Sequence, residues 1–173
     1  GLIRITSGTI WFNGNRIDNI SDRKLTEIRK KAVGYILQSF ALIPYLTTIQ
    51  NVMIPLALEK LSQKEQEARA SEILEFVGLS DRKDHLPREL SAGQQQRVAI
   101  ARSIVHRPQI IMADEPTGNL DPALSNEILE FLKRINRENK ITIMMVTHSP
   151  MAADYGTRKL HLNEGKIINH EKH

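Results

Sequence analysis

The apolar run Ile110-Ile111-Met112-Ala113 is followed at once by Asp114 and Glu115. A short apolar run of this kind reads as a buried strand. A strand that delivers two consecutive carboxylates at its carboxyl end can do chemistry. Hydrated Mg²⁺ takes carboxylate oxygen, a task that suits Asp114. Glu115 can orient and deprotonate a water molecule. Adjacent strand side chains point to opposite faces, so the two carboxylates can take different tasks. A strand ending in Asp-Glu is weak evidence when it stands alone.

Three further groups could meet such a centre. Leu90-Ser91-Ala92-Gly93-Gln94 has the pattern of a capping box at a helix start. A helix N-terminus offers free N–H groups and a positive dipole end, and so attracts phosphate. Ser91 can donate a hydroxyl hydrogen bond, and Gly93 allows close approach of the backbone. An ordinary structural cap explains the same residues. Thr147-His148 follows the apolar stretch Ile141–Val146, which puts an imidazole where it can reach a ligand at the same sheet edge. A lone His there is more often structural. Gln38 follows Val33–Leu37, and its amide could bind a metal ion or that ion's water, or could be a polar loop residue and nothing more.

The elements that must position these residues are legible in outline. Thr9 to Phe12 reads as a strand with a tight turn at Asn13-Gly14. Ser21 to Lys31 reads as a short helix and Val33–Leu37 as a buried strand. Ser62-Gln63-Lys64-Glu65 opens a helix through Val77, with Gly78 at its end. The helix from Ser91 runs to about Arg107. Asp121 caps a helix with Pro122 at its first position, continuing to about Glu138. Ser149-Pro150 starts a short helix, and Lys159–Leu162 and Lys166–Ile168 form two last strands joined at Asn163-Glu164-Gly165. Near-continuous apolar strands bounded by helices indicate an α/β fold with a parallel core sheet covered on both faces. A helical segment lies between about Gln50 and Arg107.

The 173 residues suit one domain, and 40% hydrophobic with 25% charged residues excludes disorder and a coiled-coil rod. There is no cysteine, hence no disulfide framework, no Cys-ligated zinc and no thiol nucleophile. The net charge of +4 sits in residues 1–40, with seven basic and three acidic side chains. Arg23, Lys24, Arg29, Lys30 and Lys31 read as a solvated helix face, with anionic lipid or an acidic partner as the alternative. From Ala32 to Leu58, 27 consecutive positions are uncharged. Gln38, Gln50, Asn51, Pro44 and Pro55 argue against a membrane span, and a strand, a loop and a helix start are expected there instead. His161, His170 and His173 lack paired ligand spacing, so no structural metal is expected. Met144-Met145 is expected in the core, and Trp11 and Phe12 are expected to pack in the first hairpin.

Taken together and in order, these motifs resemble the ATP-binding subunit of ABC transporters. Leu90–Gln94 looks like the signature motif and Ile110–Glu115 like the Walker B strand with its glutamate. Gly118-Asn119-Leu120-Asp121 resembles the D-loop, His148 the switch histidine and Gln38 the Q-loop glutamine. The resemblance implies a P-loop NTPase-like nucleotide-binding domain over 1–173, with 39–107 as its approximate helical, signature-bearing subdomain. It implies ATP and Mg²⁺ as ligands and a head-to-tail dimer that sandwiches two ATP molecules. On this analogy Ser91, Gly93 and Gln94 bind nucleotide across the interface. Asp114 and Gln38 hold Mg²⁺, Glu115 is the general base, His148 steadies the γ-phosphate and Asp121 communicates between subunits. The chemistry is phosphoryl transfer by positioning and charge neutralisation.

The sequence departs from the family pattern in places. Ala92 stands where Gly is usual, and Ser149 where Asp is common. No G-x-x-x-x-G-K-[ST] string occurs. Gly1-Leu2 and Ser7-Gly8-Thr9-Ile10 resemble the stretch just beyond the Walker A helix, so an N-terminally truncated sequence is expected, active as an ATPase when intact and inactive as these 173 residues alone. Leu42–Thr47, Asn51-Val52, Pro55-Leu56 and Ala113–Asp121 are similar to lipoprotein-releasing and macrolide-export ATPases. That similarity implies a transmembrane permease docking near Gln38, on Phe40 to Leu46, and a place on the cytoplasmic face of the cell membrane. Nucleic acid is not an expected partner. Two alternatives stand: a non-catalytic module supplying only the signature face to an intact partner, and a soluble ABC-type ATPase. The second would need coiled-coil insertions or a second domain, and these 173 residues carry no heptads and are too short for two domains.

Overall fold

Asn13 and Gly14 adopt φ of 49° and 73°, the left-handed pair a two-residue hairpin turn requires. They join β1 (Trp11–Phe12) to β2 (Asn15–Arg16) in an antiparallel pair. The computed structural model describes residues 5–172, with no side-chain description beyond 168. Gly1-Leu2 and His173 therefore lie outside the described residues, as does the His170 side chain. Trp11 is 63% exposed rather than packed in the hairpin, because no described element lies against it, while Phe12 is half-buried. Asp18 accepts from the Arg16 guanidinium and from the Ile10 N–H, and these bonds hold its carboxyl down at about 2.

Ser21 caps α1 (Asp22–Ala32), whose Arg23, Lys24, Lys30 and Lys31 are exposed as a solvated face requires. The chain then enters β3 (Val33–Ile36) directly. With β4 (Ile110–Asp114) and β5 (Thr142–Val146), β3 forms a parallel sheet in the order β3-β4-β5. Between β3 and β4 the chain makes α2 (Thr48–Met53), a 3₁₀ turn at Ile54–Leu58, α3 (Gln63–Phe76) and α4 (Ala92–Ile104). Thr47, Ser62 and Ser91 each start a helix with a complete capping box. Gly78, at φ 72°, ends the α3 region. The helix from Ser91 stops at Ile104, short of Arg107, which takes φ 54° ahead of Pro108.

Two apolar clusters hold these parts together, and α4 belongs to both. Its Val98 and Ala101 edge, with Val105 just past its end, packs with Val52, Leu74 and Val77 of the helical segment. Its Ile100 and Ile104 edge packs on Ile36 and Ile111 of the sheet. The sheet cluster is completed by α5 (Pro122–Asn139), through Ile128, Leu132 and Ile135. Each such fully buried aliphatic side chain contributes about 1.5–3 kcal/mol. Arg134 of α5 lies 4.6 Å from the Phe76 ring centre and 5.1 Å from that of Phe131, tying α3 to α5. α6 (Pro150–Asp154) and the antiparallel pair β6 (Arg158–Asn163) and β7 (Lys166–Lys172) complete the chain.

Among the described residues, the two faces of the sheet differ in cover. Helices α4 and α5 lie on the face carrying Ile36, Ile111 and Ala113. The other face presents Tyr35, Met112 and Met144 in register across the three strands, at 41%, 36% and 47% exposure. Met144 is therefore not core, while Met145, one residue on, packs against it. Among the described residues no helix is long and apolar enough to cross a membrane. The uncharged stretch becomes strand, loop, α2 and 3₁₀ turn.

Gly34 sets how closely α4 can approach β3. A Cβ on Gly34 would collide with the backbone carbonyl of Ser103 and meet the Pro108 side chain at 3.3 Å. Neither a helix carbonyl nor a proline ring can swing away. Gly34→Ala is expected to destabilise the protein by at least about 2 kcal/mol, read as a fall in Tm of roughly 4 °C or more.

Candidate functional site

The carboxyl ends of β3, β4 and β5 lie side by side, the edge at which open parallel sheets bind ligands. Glu115 directly follows β4 with φ 44°, a left-handed conformation that costs free energy in a non-glycine residue. Its N–H donates to the Val146 carbonyl at 2.9 Å, which carries the ladder with β5 one step further. The turned backbone points the carboxylate at the end of β5. There Oε2 accepts from the Thr147 hydroxyl at 3.0 Å, and Oε1 accepts from the His148 backbone N–H at 2.7 Å. His148 Nδ1 lies 2.7 Å from the same Oε1. An ionised carboxylate only accepts, so Nδ1 carries a proton and Nε2 faces outward from a side chain that is 84% exposed.

Burial pushes the Glu115 carboxyl up. The His148 backbone N–H, the His148 ring and the Thr147 hydroxyl together pull it down by more, so its pKa lies below the usual glutamate value. Glu115 is thus charged across the neutral range. Asp114, the last residue of β4, is exposed.

Gln38 lies two residues past β3 and reaches this group through the chain that leaves Glu115. The Gly118 N–H donates to the Glu115 carbonyl at 3.0 Å, closing a turn. Asn119 Nδ2 donates to the Gln38 carbonyl at 2.8 Å. Gln38 Nε2 lies 3.0 Å from where a Gly118 Cβ would stand, so a side chain at 118 would displace the Gln38 amide. Gln38, Asp114, Glu115 and His148 are therefore gathered at one sheet edge.

Ser91, Gly93, Gln94 and Asp121 form a second group, at the starts of α4 and α5. Ser91 Oγ accepts from the Gln94 N–H at 3.3 Å and Gln94 Oε1 accepts from the Ser91 N–H at 2.9 Å. Asp121 Oδ1 accepts from the N–H groups of Ala123 and Leu124. A Cβ on Gly93 would come within 2.7 Å of Leu124, so glycine there permits α4 to pack on α5. Ala92 is the first residue of α4, where its methyl group is tolerated.

The loop after β3 is held from two sides. Arg102 of α4 donates to the carbonyls of Phe40 and Ala41 at 2.8 and 2.7 Å. Asn51, fully buried in α2, accepts from the Ile43 N–H at 2.8 Å and donates to the carbonyls of Ile43, Leu46 and Thr47. Between them Tyr45 stands 77% exposed.

Residues 1–118 match the ABC transporter family. The chain belongs to the ABC transporter ATP-binding family. An ABC transporter ATP-binding protein of Thermotoga maritima is 42% identical over 171 residues, 99% of this chain and 73% of that protein. The lipoprotein-releasing system ATP-binding protein LolD of Geobacter metallireducens is 41% identical over 167 residues, 96% of this chain and 74% of its own length. The ATP-binding cassette MJ0796 of Methanocaldococcus jannaschii, in a dimeric post-hydrolysis state bound to ADP and Pi, superposes with a TM-score of 0.85. That comparison has 38% identity and covers 99% of this chain and 75% of that one. The ABC ATPase cassette is thus the fold of this chain, and it is an ATP-binding subunit of an ABC transporter.

Two residues of this ABC domain were not singled out as anchors from its sequence. Asn51 lies in the uncharged stretch, and its bonds run back across the loop to Ile43, Leu46 and Thr47. Thr147 was noted only as the neighbour of His148, and its bond to Glu115 spans 32 positions.

Proposed function

We propose that this subunit binds MgATP, hydrolyses it in a head-to-tail dimer and couples hydrolysis to export, or to lipoprotein- or macrolide-type extraction, through a membrane permease. The observation that carries the reading is the Glu115 carboxylate, charged and fixed by Thr147 and His148 at the joint carboxyl ends of three parallel strands. A carboxylate so held can accept a hydrogen bond from water and take its proton as the water attacks. His148 Nε2 is free to meet a phosphate oxygen.

The donor set suits Mg²⁺. Asp114 offers an exposed carboxylate and Gln38 an amide oxygen. Among the described residues no cluster of three or more His, Asp or Glu forms a cage of its own. Mg²⁺ favours such a sparse set, completed by water and nucleotide phosphate. The ion would neutralise phosphate charge. Ser91, Gly93 and Gln94, at the start of α4, would meet the nucleotide of the opposite subunit, where N–H groups and the helix dipole favour phosphate. Asp121 would sit at the same junction. Residues 39–107 would act as the arm that carries this face. The 173 residues alone contain no P-loop string and are not expected to turn over MgATP.

The loop from Phe40 to Leu46, anchored by Asn51 and Arg102 with Tyr45 projecting, would receive the permease, placing the subunit on the inner face of the membrane. The test is Tyr45→Asp in the native subunit. Permease-stimulated hydrolysis and co-purification of the permease are expected to fall about tenfold or more, since a buried unpaired carboxylate opposes docking, while hydrolysis without the permease is retained. Unchanged assembly and coupling would remove the docking assignment. Absence of any MgATP turnover by the native protein, with the permease still bound, would favour a non-catalytic module.

A further inference from the structure

Gln96 is fully buried in α4, five residues after the Ser91 cap, among the apolar side chains that follow it. Its Nε2 donates to the backbone carbonyl of Pro116, 20 residues away and immediately after Glu115. Its Oε1 is buried with no hydrogen-bond partner. The amide cannot be reversed, because that would set two acceptors against each other. A half-satisfied buried amide is a poor core filler, since leucine or methionine would occupy similar volume with no orphan acceptor. Its retained bond falls on the segment that most needs one. Glu115 is held at φ 44°, and a non-glycine residue stays there only when its surroundings over-determine it. The Glu115 N–H is fixed by Val146 and its carbonyl by the Gly118 N–H. The following carbonyl is fixed by Gln96.

We propose that Gln96 is a positioning residue for hydrolysis: its amide clamps the Pro116–Thr117 peptide to α4, so the helix that begins at Ser91 sets where the Glu115 carboxylate stands. The clamp rests on the reading of Glu115 given above. It also ties the face meant for one nucleotide to the carboxylate meant for the other, inside one subunit.

The experiment is steady-state MgATP hydrolysis and thermal melting of the native subunit with Gln96→Met and Gln96→Leu, beside Glu115→Gln and the double variant Gln96→Met/Glu115→Gln. Loss of the clamp is expected to lower kcat roughly 10- to 100-fold, as small misplacements of reacting groups do. KM for MgATP stays within about twofold, because the residues proposed to hold nucleotide are untouched. Tm is expected to shift little, since the orphan Oε1 acceptor goes but the Pro116 carbonyl loses its donor. The double variant is no slower than Glu115→Gln, because Gln96 acts through that residue. Wild-type kcat in both Gln96 variants, with Glu115→Gln inactive, would overturn the clamp and leave the Glu115 reading intact. Failure of both Gln96 variants to fold would also overturn it, since the amide would then hold the helical core. An active Glu115→Gln would remove the Glu115 reading and the clamp with it.

Discussion

Glu115→Gln is expected to cut kcat for MgATP hydrolysis by roughly 10²- to 10⁴-fold, the usual worth of a positioned general base. The argument depends on how little else the substitution changes. Gln has the same shape, and its Oε1 can still accept from the His148 N–H at the position the carboxylate uses. Its Nε2 can donate to the Thr147 hydroxyl, whose proton rotates to suit. The turn at φ 44° is backbone geometry and is unaffected. Stability is therefore expected to change by under about 1 kcal/mol, the range typical of isosteric changes away from the core. What is lost is the charge and with it the proposed proton acceptor. The residues proposed to hold nucleotide are untouched, so KM is expected within about twofold of wild type. A rate loss matched by an equal rise in KM would instead mark Glu115 as a binding residue, and an unimpaired variant would show that it takes no proton. His148→Ala is a useful contrast, since it removes the ring from Oε1 but leaves the backbone N–H in place.

What could be read without a structure was what depends on near neighbours in the chain. Ser62 with Glu65 and Ser91 with Gln94 are bonded three positions apart, and Asp121 caps the two residues after Pro122; all appear as expected. The Asn13-Gly14 turn and the Gly78 stop depend on backbone preferences of single residues. The candidate site residues are legible because a strand end is a local feature: Gln38, Asp114, Glu115 and His148 each lie just past an apolar run. What joins them is not local. Gln38 meets Asn119 across 81 positions and Gln96 meets Pro116 across 20. A glutamine in a helix carries no mark of being buried. The apolar runs misled in one respect: continuous hydrophobicity in β4 and β5 suggested cover on both faces, yet Met112 and Met144 are 36% and 47% exposed among the described residues. Hydrophobic type reports a preference for cover and leaves open whether a neighbour supplies it.

Asn51 is where the energetic consequence of a long-range contact is largest. One fully buried amide satisfies the Ile43 N–H and the carbonyls of Ile43, Leu46 and Thr47. Asn51→Ala strips four backbone partners at once while the α2 backbone remains helical. The cost is expected to be about 3 kcal/mol, less than four separate penalties, because the Ile43 and Thr47 carbonyls keep the Leu46 and Asn51 N–H groups and the freed loop can turn others to water. That corresponds to a Tm lower by roughly 6–12 °C. Asn51→Asp separates hydrogen bonding from volume. The aspartate oxygen can still accept from Ile43 N–H, but its second oxygen would face three carbonyls where Asn presents an N–H₂ group. Asp is therefore expected to be at least as damaging as Ala despite its matching size, and a near-neutral Asp would show that the loop is held by packing. The same loop is the proposed permease surface, and Arg102 still grips its first half through Phe40 and Ala41. Loosening the second half displaces Tyr45 without touching Glu115, His148 or the start of α4. In the native complex below its melting point, Asn51→Ala is accordingly expected to keep hydrolysis by the free subunit and lose its stimulation by the permease. Equal losses of both would place the effect of Asn51 in the nucleotide site rather than in docking.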